Sequence, residues 1–188
     1  MKILAFFRVL AFTGLRKFEV LSLQWKDIDF EESSADISKT LAIDEFGKIV
    51  IQSPKRENSK RKVKFDDKTL GILKRWKSNQ KECYINFGIN TFDKDQFIFT
   101  NKKNGLYYPQ LSIDWLKMIL AKYNLPKITV HGFRHTLASL LFKSGVSPKT
   151  AQELLGHKNL ETTMNIYTHV TDNDMDDAHN QFAKYANF

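Results

Sequence analysis

The sequence predicts an α+β fold, mainly α-helical, with a small three-stranded antiparallel sheet and a basic hairpin inserted early. Three observations point there. Apolar residues recur at helical spacing over residues 2–13 and through most of the chain from 110 onward. Three short strand-like runs bounded by turn residues, 35–41, 48–53 and 61–65, lie between those regions. No internal repeat or low-complexity tract interrupts the 188 residues, a length suited to one compact core.

In residues 2–13 the apolar side chains Ile3, Leu4, Phe6, Phe7, Val9, Leu10 and Phe12 describe a helix buried on most sides, which Gly14 breaks. Phe18, Val20, Leu21 and Leu23 mark a second helix ending near Trp25, and 27–29 reads as extended. The first two strand runs flank a turn at 44–47, and the last two flank the charged segment 54–60. A helix is predicted from Asp66–Asp67 to about Cys83, a loop over 86–95, a short strand at 97–99 and a turn at 101–105. Further helices are expected from Gln110 to before Pro126, over 131–143 up to Gly145, from the Ser147 cap and Pro148 to Gly156, and over about 160–167. The tail from 172 carries four Asp residues and then Ala178, Phe182, Ala183 and Tyr185 at helical spacing.

The net charge is +8, and a globular chain this basic favours a polyanionic partner, nucleic acid before an anionic membrane surface. Cys83 is the single cysteine, which excludes an intrachain disulfide framework and a cysteine-based zinc cluster and fits a reducing compartment. The apolar start is short, carries Arg8 and is followed by no small-residue cleavage site, so it reads as a buried helix and neither a signal peptide nor a membrane span.

Several residues could carry chemistry, and each has a plain structural alternative. His131 and Arg134 lie three apart, on one face if both are helical, where an imidazole and a guanidinium fork would address one anion. Such spacing is common on exposed helix faces. His135 stands four after His131, at metal-ligand spacing, but Gly132 replaces the glutamate of a zinc-protease helix, so His135 reads as structural. His157 follows a helix end, where a solvated loop histidine is the ordinary case. Tyr167 sits beside Ile166 and near Met164, the setting of a half-buried core tyrosine. A phenol ordinarily ionises near pH 10, so a nucleophilic one needs cations or a base beside it. Arg16 opens a helix, where the dipole favours anions; it suits anion binding, or an ion pair with Glu19, which would also orient it. Lys55, Arg56, Lys60, Arg61, Lys62 and Lys64 form a basic hairpin arm, or charged edge strands that deter aggregation.

The order of these residues is more telling than any one of them. T-G-L-R-x-x-E at Arg16, the basic hairpin, H-x-x-R at His131 and Arg134, L-G-H at His157 and a tyrosine ten residues on at Tyr167 resemble the tyrosine recombinase family, often called phage integrases, over about residues 5–170. The resemblance implies a catalytic domain over 1–170 and a tail helix over 171–188 that contacts a neighbouring subunit. It implies that Arg16 and Arg134 clamp a scissile DNA phosphate, that His131 and His157 hydrogen-bond it, and that Lys55 protonates the 5′-oxygen leaving group. Tyr167 would form a 3′-phosphotyrosyl link. Arg56, Lys60, Arg61 and Lys62 would meet DNA. The hairpin departs from the family's K-T-x-x-S-x-R pattern, since Arg56 stands for the threonine while Ser59 and Arg61 are in place, so Lys60 or Lys62 takes the lysine role if the register differs. No metal or nucleotide cofactor is implied, because protein cations answer the charge. The expected partners are double-stranded DNA and further subunits, four on paired sites, with no membrane, in the cytoplasm at the nucleoid. The family's N-terminal DNA-binding domain is expected to lie outside this chain. Two other readings stay open: a type IB topoisomerase, which the compact spacing disfavours, and a DNA-binding module without catalysis. Arg134→Ala is expected to abolish cleavage and spare the fold.

Overall fold

The computed structural model describes residues 1–53, 60–91, 93, 95–156 and 159–171. The chain forms two compact units, 1–134 and from 135 on.

In the first unit, α1 (Lys2–Thr13) buries Phe6, Val9 and Leu10. Phe6 meets Phe7, Phe99 and Trp115 edge to face at 5.3, 5.3 and 5.6 Å, which builds the aromatic centre of the core. Gly14 ends the helix at φ 64°, a left-handed conformation in which a side chain is strained, and its N–H donates to the Leu10 carbonyl. The chain can then reverse at once into α2 (Lys17–Leu21). A single 3₁₀ turn, Trp25–Asp27, leads into β1 (Ile28–Asp29).

The strand runs form two sheets. β2 (Ser34–Ile37) lies between β1 and β5 (Arg61–Lys64), all antiparallel, and β3 (Thr40–Ile43) pairs with β4 (Ile49–Gln52). The three-stranded antiparallel sheet is thus present, but the predicted run 35–41 is divided between two sheets. The break falls at Lys39, whose carbonyl accepts from Ser22 Oγ at 3.0 Å and whose ammonium bonds Asp27 at 2.8 Å. Ser22 thus takes the Lys39 carbonyl, which a strand ladder would otherwise hold. The pairing of 48–53 with 61–65 is replaced by β2–β5. The predicted strand at 97–99 reduces to an isolated bridge from Phe97 to Gln24. There the Ile98 carbonyl is taken by the Trp76 indole at 2.8 Å and the Phe97 carbonyl by Gln80 at 2.9 Å.

Those two side chains come from α3 (Asp67–Ile85), capped by Asp66, whose carboxylate accepts from Thr69 N at 3.0 Å and Arg8 Nη2 at 2.7 Å. Arg8, the charge that interrupts the apolar α1, therefore ties α1 to the start of α3. Partial burial works against ionisation of Asp66, but bonds from Thr69 and Arg8 outweigh it and hold the carboxyl down at about 2. Asp66→Ala is expected to cost about 1 kcal/mol, the usual worth of an N-cap. The Asp66 contribution is present above the ordinary value of 3.8 and lost as pH falls toward about 2. Melts of wild type and variant should therefore differ at neutral pH and converge in acid; a constant gap would contradict the pairing. α4 (Gln110–Lys122) completes the unit and buries Ser112 and Leu116.

α5 (Gly132–Lys143) begins in the first unit and belongs from His135 on to the second. The second unit adds α6 (Pro148–Leu155), capped by Ser147 and closed at Gly156, and α7 (Leu160–Thr171), which runs past the predicted end at 167. Its core joins Ala138, Phe142, Ala151 and Leu155 with the flanking Leu141, Ile166 and Tyr167. The predicted tail helix lies outside the described residues, apart from Thr171, the last residue of α7. No helix among the described residues is long and apolar enough to cross a membrane.

Candidate functional site

The first unit brings Arg16, His131 and Arg134 to one pocket of about 510 Å³, whose apolar wall includes Leu15, Phe18 and Leu116. Their placement follows from two local features. Gly14 turns the chain so that Arg16 stands at the N-terminus of α2. Arg134 then reaches back from the first turn of α5 and donates from Nη1 to the Gly14 carbonyl at 2.6 Å.

His131 shares the pocket by a different route than a common helix face. It lies in the turn before α5, exposed, and its carbonyl accepts from Arg134 N at 3.1 Å. That turn is tight. Gly132 N donates to Thr129 Oγ1 at 2.9 Å, and a Cβ on Gly132 would stand 2.8 Å from Ile128 Cγ1, closer than carbon atoms approach. A residue without a side chain is thus needed between His131 and Arg134.

Arg134 is buried, with 3% of its surface exposed. Burial first, and then the charges of Arg16 and Arg61, push its guanidinium down to about 10, with Glu19 working the other way. It remains a cation at neutral pH. Arg16 is more open, its side chain 46% exposed, and its Nη1 meets Glu19 Oε1 at 3.0 Å. Glu19 Oε2 also accepts from the Arg16 backbone N at 2.8 Å. Burial disfavours the Glu19 carboxylate, but Arg61 and Arg16 more than compensate and hold its pKa below the ordinary value. Two guanidinium groups and an imidazole around one pocket are suited to a tetrahedral oxyanion.

The basic hairpin is divided by the strand period of two. Lys60 and Lys62 are exposed, and Lys62 faces Asp36 across the ladder. Arg61 points the other way, 13% exposed, into an ion pair with Glu19 at 2.9 Å. Its charge was expected at a DNA surface; the structure turns it inward, half-buried, toward Glu19. Sequence reasoning saw Glu19 as the partner of Arg16 and missed that Arg61 shares it. The signal available was the S-x-R ending of the hairpin pattern. Lys55, Arg56 and His157 lie outside the described residues.

In the second unit Tyr167 is half-buried on α7, its ring edge to face with Phe142 at 5.2 Å. His135 is exposed on α5. Among the described residues no group of three or more His, Cys, Asp or Glu side chains could hold a metal ion.

Known proteins resemble this chain along most of its length. The model of the phage integrase family matches residues 1–174. A tyrosine recombinase XerC-like protein of Caldanaerobacter subterraneus subsp. tengcongensis is 37% identical over 174 residues, covering 86% of this chain and 44% of its own length. The ICEBs1 integrase of Bacillus subtilis is 36% identical over 169 residues, covering 89% of this chain and 45% of its own length. The chain thus spans a little under half the length of these relatives. Among solved structures, the Tn1549 transposon integrase in complex with a circular intermediate DNA superposes with a TM-score of 0.78 at 28% identity, over 96% of this chain and 58% of the other. The XerA recombinase shares the fold, with a TM-score of 0.69 at 23% identity over 95% of this chain and 57% of the other. With a family match across residues 1–174 and the α+β architecture of these recombinases, this chain belongs to the phage integrase family.

Proposed function

We propose that this chain carries the DNA breaking-and-rejoining centre of a site-specific tyrosine recombinase. The observation that carries the reading is the meeting of Arg16, His131 and Arg134 on one pocket in a phage integrase chain. Attack on a phosphodiester builds negative charge on the non-bridging oxygens, and preorganised cations lower that barrier. Arg16 and Arg134 hold those oxygens, with His131 and His157 donating to the same phosphate. The Tyr167 phenol oxygen bonds to phosphorus as the bond to the 5′-oxygen breaks. The phenol proton passes to His131, and Lys55 gives a proton to the departing 5′-oxygen. The resulting 3′-phosphotyrosine keeps the bond energy, so a 5′-hydroxyl from a second strand restores the backbone and releases Tyr167 without a nucleotide cofactor.

The substrate in this reading is double-stranded DNA, and the partners are further copies of the protein, four on paired sites, with residues 171–188 offered to a neighbour. The cytoplasm fits its single, exposed thiol, Cys83. Of the hairpin cations, Arg56, Lys60 and Lys62 are the candidates for the DNA backbone.

The test is a nicked duplex carrying the junction sequence that flanks the gene, incubated with the complete protein. A covalent protein–DNA band on a denaturing gel is expected, with the DNA-linked peptide containing Tyr167. Binding should weaken steeply with salt, as counterions return to the phosphates. No covalent band, or attachment at another residue, would refute the reading. Relaxation of any supercoiled plasmid in catalytic amounts would mark a topoisomerase instead.

A further inference from the structure

We infer that Arg61 is a positioning residue for Arg16, acting through Glu19, and makes no contact with DNA. This rests on the proposed role of Arg16 as a phosphate ligand. Glu19 is the shared element, a carboxylate with 7% of its surface exposed. A buried carboxylate draws a neighbouring arginine into a two-pronged pair, since both oxygens need donors. Arg61 fills that place, with Nη1 at 3.1 Å from Oε1 and Nη2 at 2.9 Å from Oε2. Arg16 reaches the same carboxylate end-on, through Nη1 at 3.0 Å, while its backbone N–H takes the other oxygen at 2.8 Å.

This division of labour has an electrostatic consequence. Glu19 has one negative charge, and Arg61 balances it inside the protein. The positive charge of Arg16 is then left to act on the pocket that it lines. Remove Arg61, and Glu19 is balanced by Arg16 from the same side. The guanidinium then rotates toward the two-pronged geometry and away from the phosphate position. The strand register keeps Arg61 in this role. It opens β5 opposite Ile37, its side chain is 13% exposed, and the next residue, Lys62, points to the other, exposed face.

The experiment uses the complete protein and the nicked junction duplex, prepared once with a normal scissile phosphodiester and once with a neutral methylphosphonate there. A methylphosphonate develops less negative charge for Arg16 to answer. Arg61→Met is expected to slow covalent-complex formation on the phosphodiester by about tenfold to a hundredfold, the scale of a misplaced catalytic group. On the methylphosphonate the slowing should shrink to about threefold or less relative to wild type. In an Arg16→Ala background, Arg61→Met should change neither DNA affinity nor its salt dependence. Glu19→Gln added to Arg61→Met should recover part of the rate, because no carboxylate remains to capture Arg16. If Arg61→Met does not fold, Arg61→Lys serves, with a smaller slowing that follows the same substrate pattern.

Equal slowing on both substrates would make Arg61 merely structural and overturn the inference. Weaker DNA binding in that Arg16→Ala background, with a salt slope lower by about one, would make Arg61 a phosphate contact and overturn the inference too. Normal cleavage by Arg61→Met alongside an active wild type would refute the inference alone. No covalent complex from the wild type would refute it together with the recombinase reading.

Discussion

Arg134→Ala is expected to remove about 10²–10³-fold of the covalent-complex rate and also to lower the melting temperature. The sequence alone suggested that the fold would be spared, because a phosphate-clamping arginine contributes little to a core. Arg134 is instead 3% exposed and holds the Gly14 carbonyl at 2.6 Å. That bond secures the turn between α1 and α2 that places Arg16. A lost hydrogen bond from a charged donor costs roughly 1.5–3 kcal/mol, and each kcal/mol moves the melting point of a chain this size by about 2–4 °C. Arg134→Lys should keep charge in the pocket and lose the planar fork, giving a smaller drop in both. Calorimetry and a denaturing gel with saturating DNA separate the two effects. A wild-type rate would remove Arg134 from the chemistry. An unchanged melting point would show that the Gly14 contact contributes nothing.

Glu19→Ala should cost about 3–5 kcal/mol, because it strands the half-buried Arg61 without its counter-ion. The double variant Glu19→Ala with Arg61→Met should recover much of that loss, since removing both charges leaves neither unpaired. The pH dependence has a definite sign. Burial opposes ionisation of Glu19, but Arg61 and Arg16 hold its pKa below the ordinary 4.5. The charge-dependent part of its contribution is therefore full above that value and lost as pH falls through the lowered one. Urea midpoints of wild type and Glu19→Ala should be far apart at neutral pH and closer in strong acid. A gap that does not change with pH would mean that Glu19 acts by packing and not by charge.

How much of this was legible beforehand differs from element to element. α1 and its stop at Gly14 were readable, because an apolar period and a left-handed terminator are local properties. So were the helix start at Asp66 and the Ser147 cap, both fixed by bonds to residues three positions away. The strands were readable as runs, and the hairpin around 44–47 as a pair, but the partner of 61–65 was misread. The division at Lys39 depends on Ser22, Gln24 and Asp27, residues that no short-range pattern joins to it. The segment 97–99 has strand-like residues, but its carbonyls are claimed by Trp76 and Gln80, some twenty residues earlier.

By itself the sequence determined the fold class, the family and the ordered set Arg16, His131, Arg134, His157 and Tyr167, because residue types and spacings are linear information. Only the tertiary structure decided which charges face inward. Arg61 and Lys62 are adjacent basic residues in one hairpin, and nothing local distinguishes them. The strand pleat sends one to Glu19 and the other to solvent opposite Asp36. Likewise Arg134 became a buried tie to Gly14 once a carbonyl 120 positions away came within hydrogen-bond distance. The physical reason is the same in both cases: the cost of burying a charge depends on what lies across from it, and that is set by packing between segments distant in the chain.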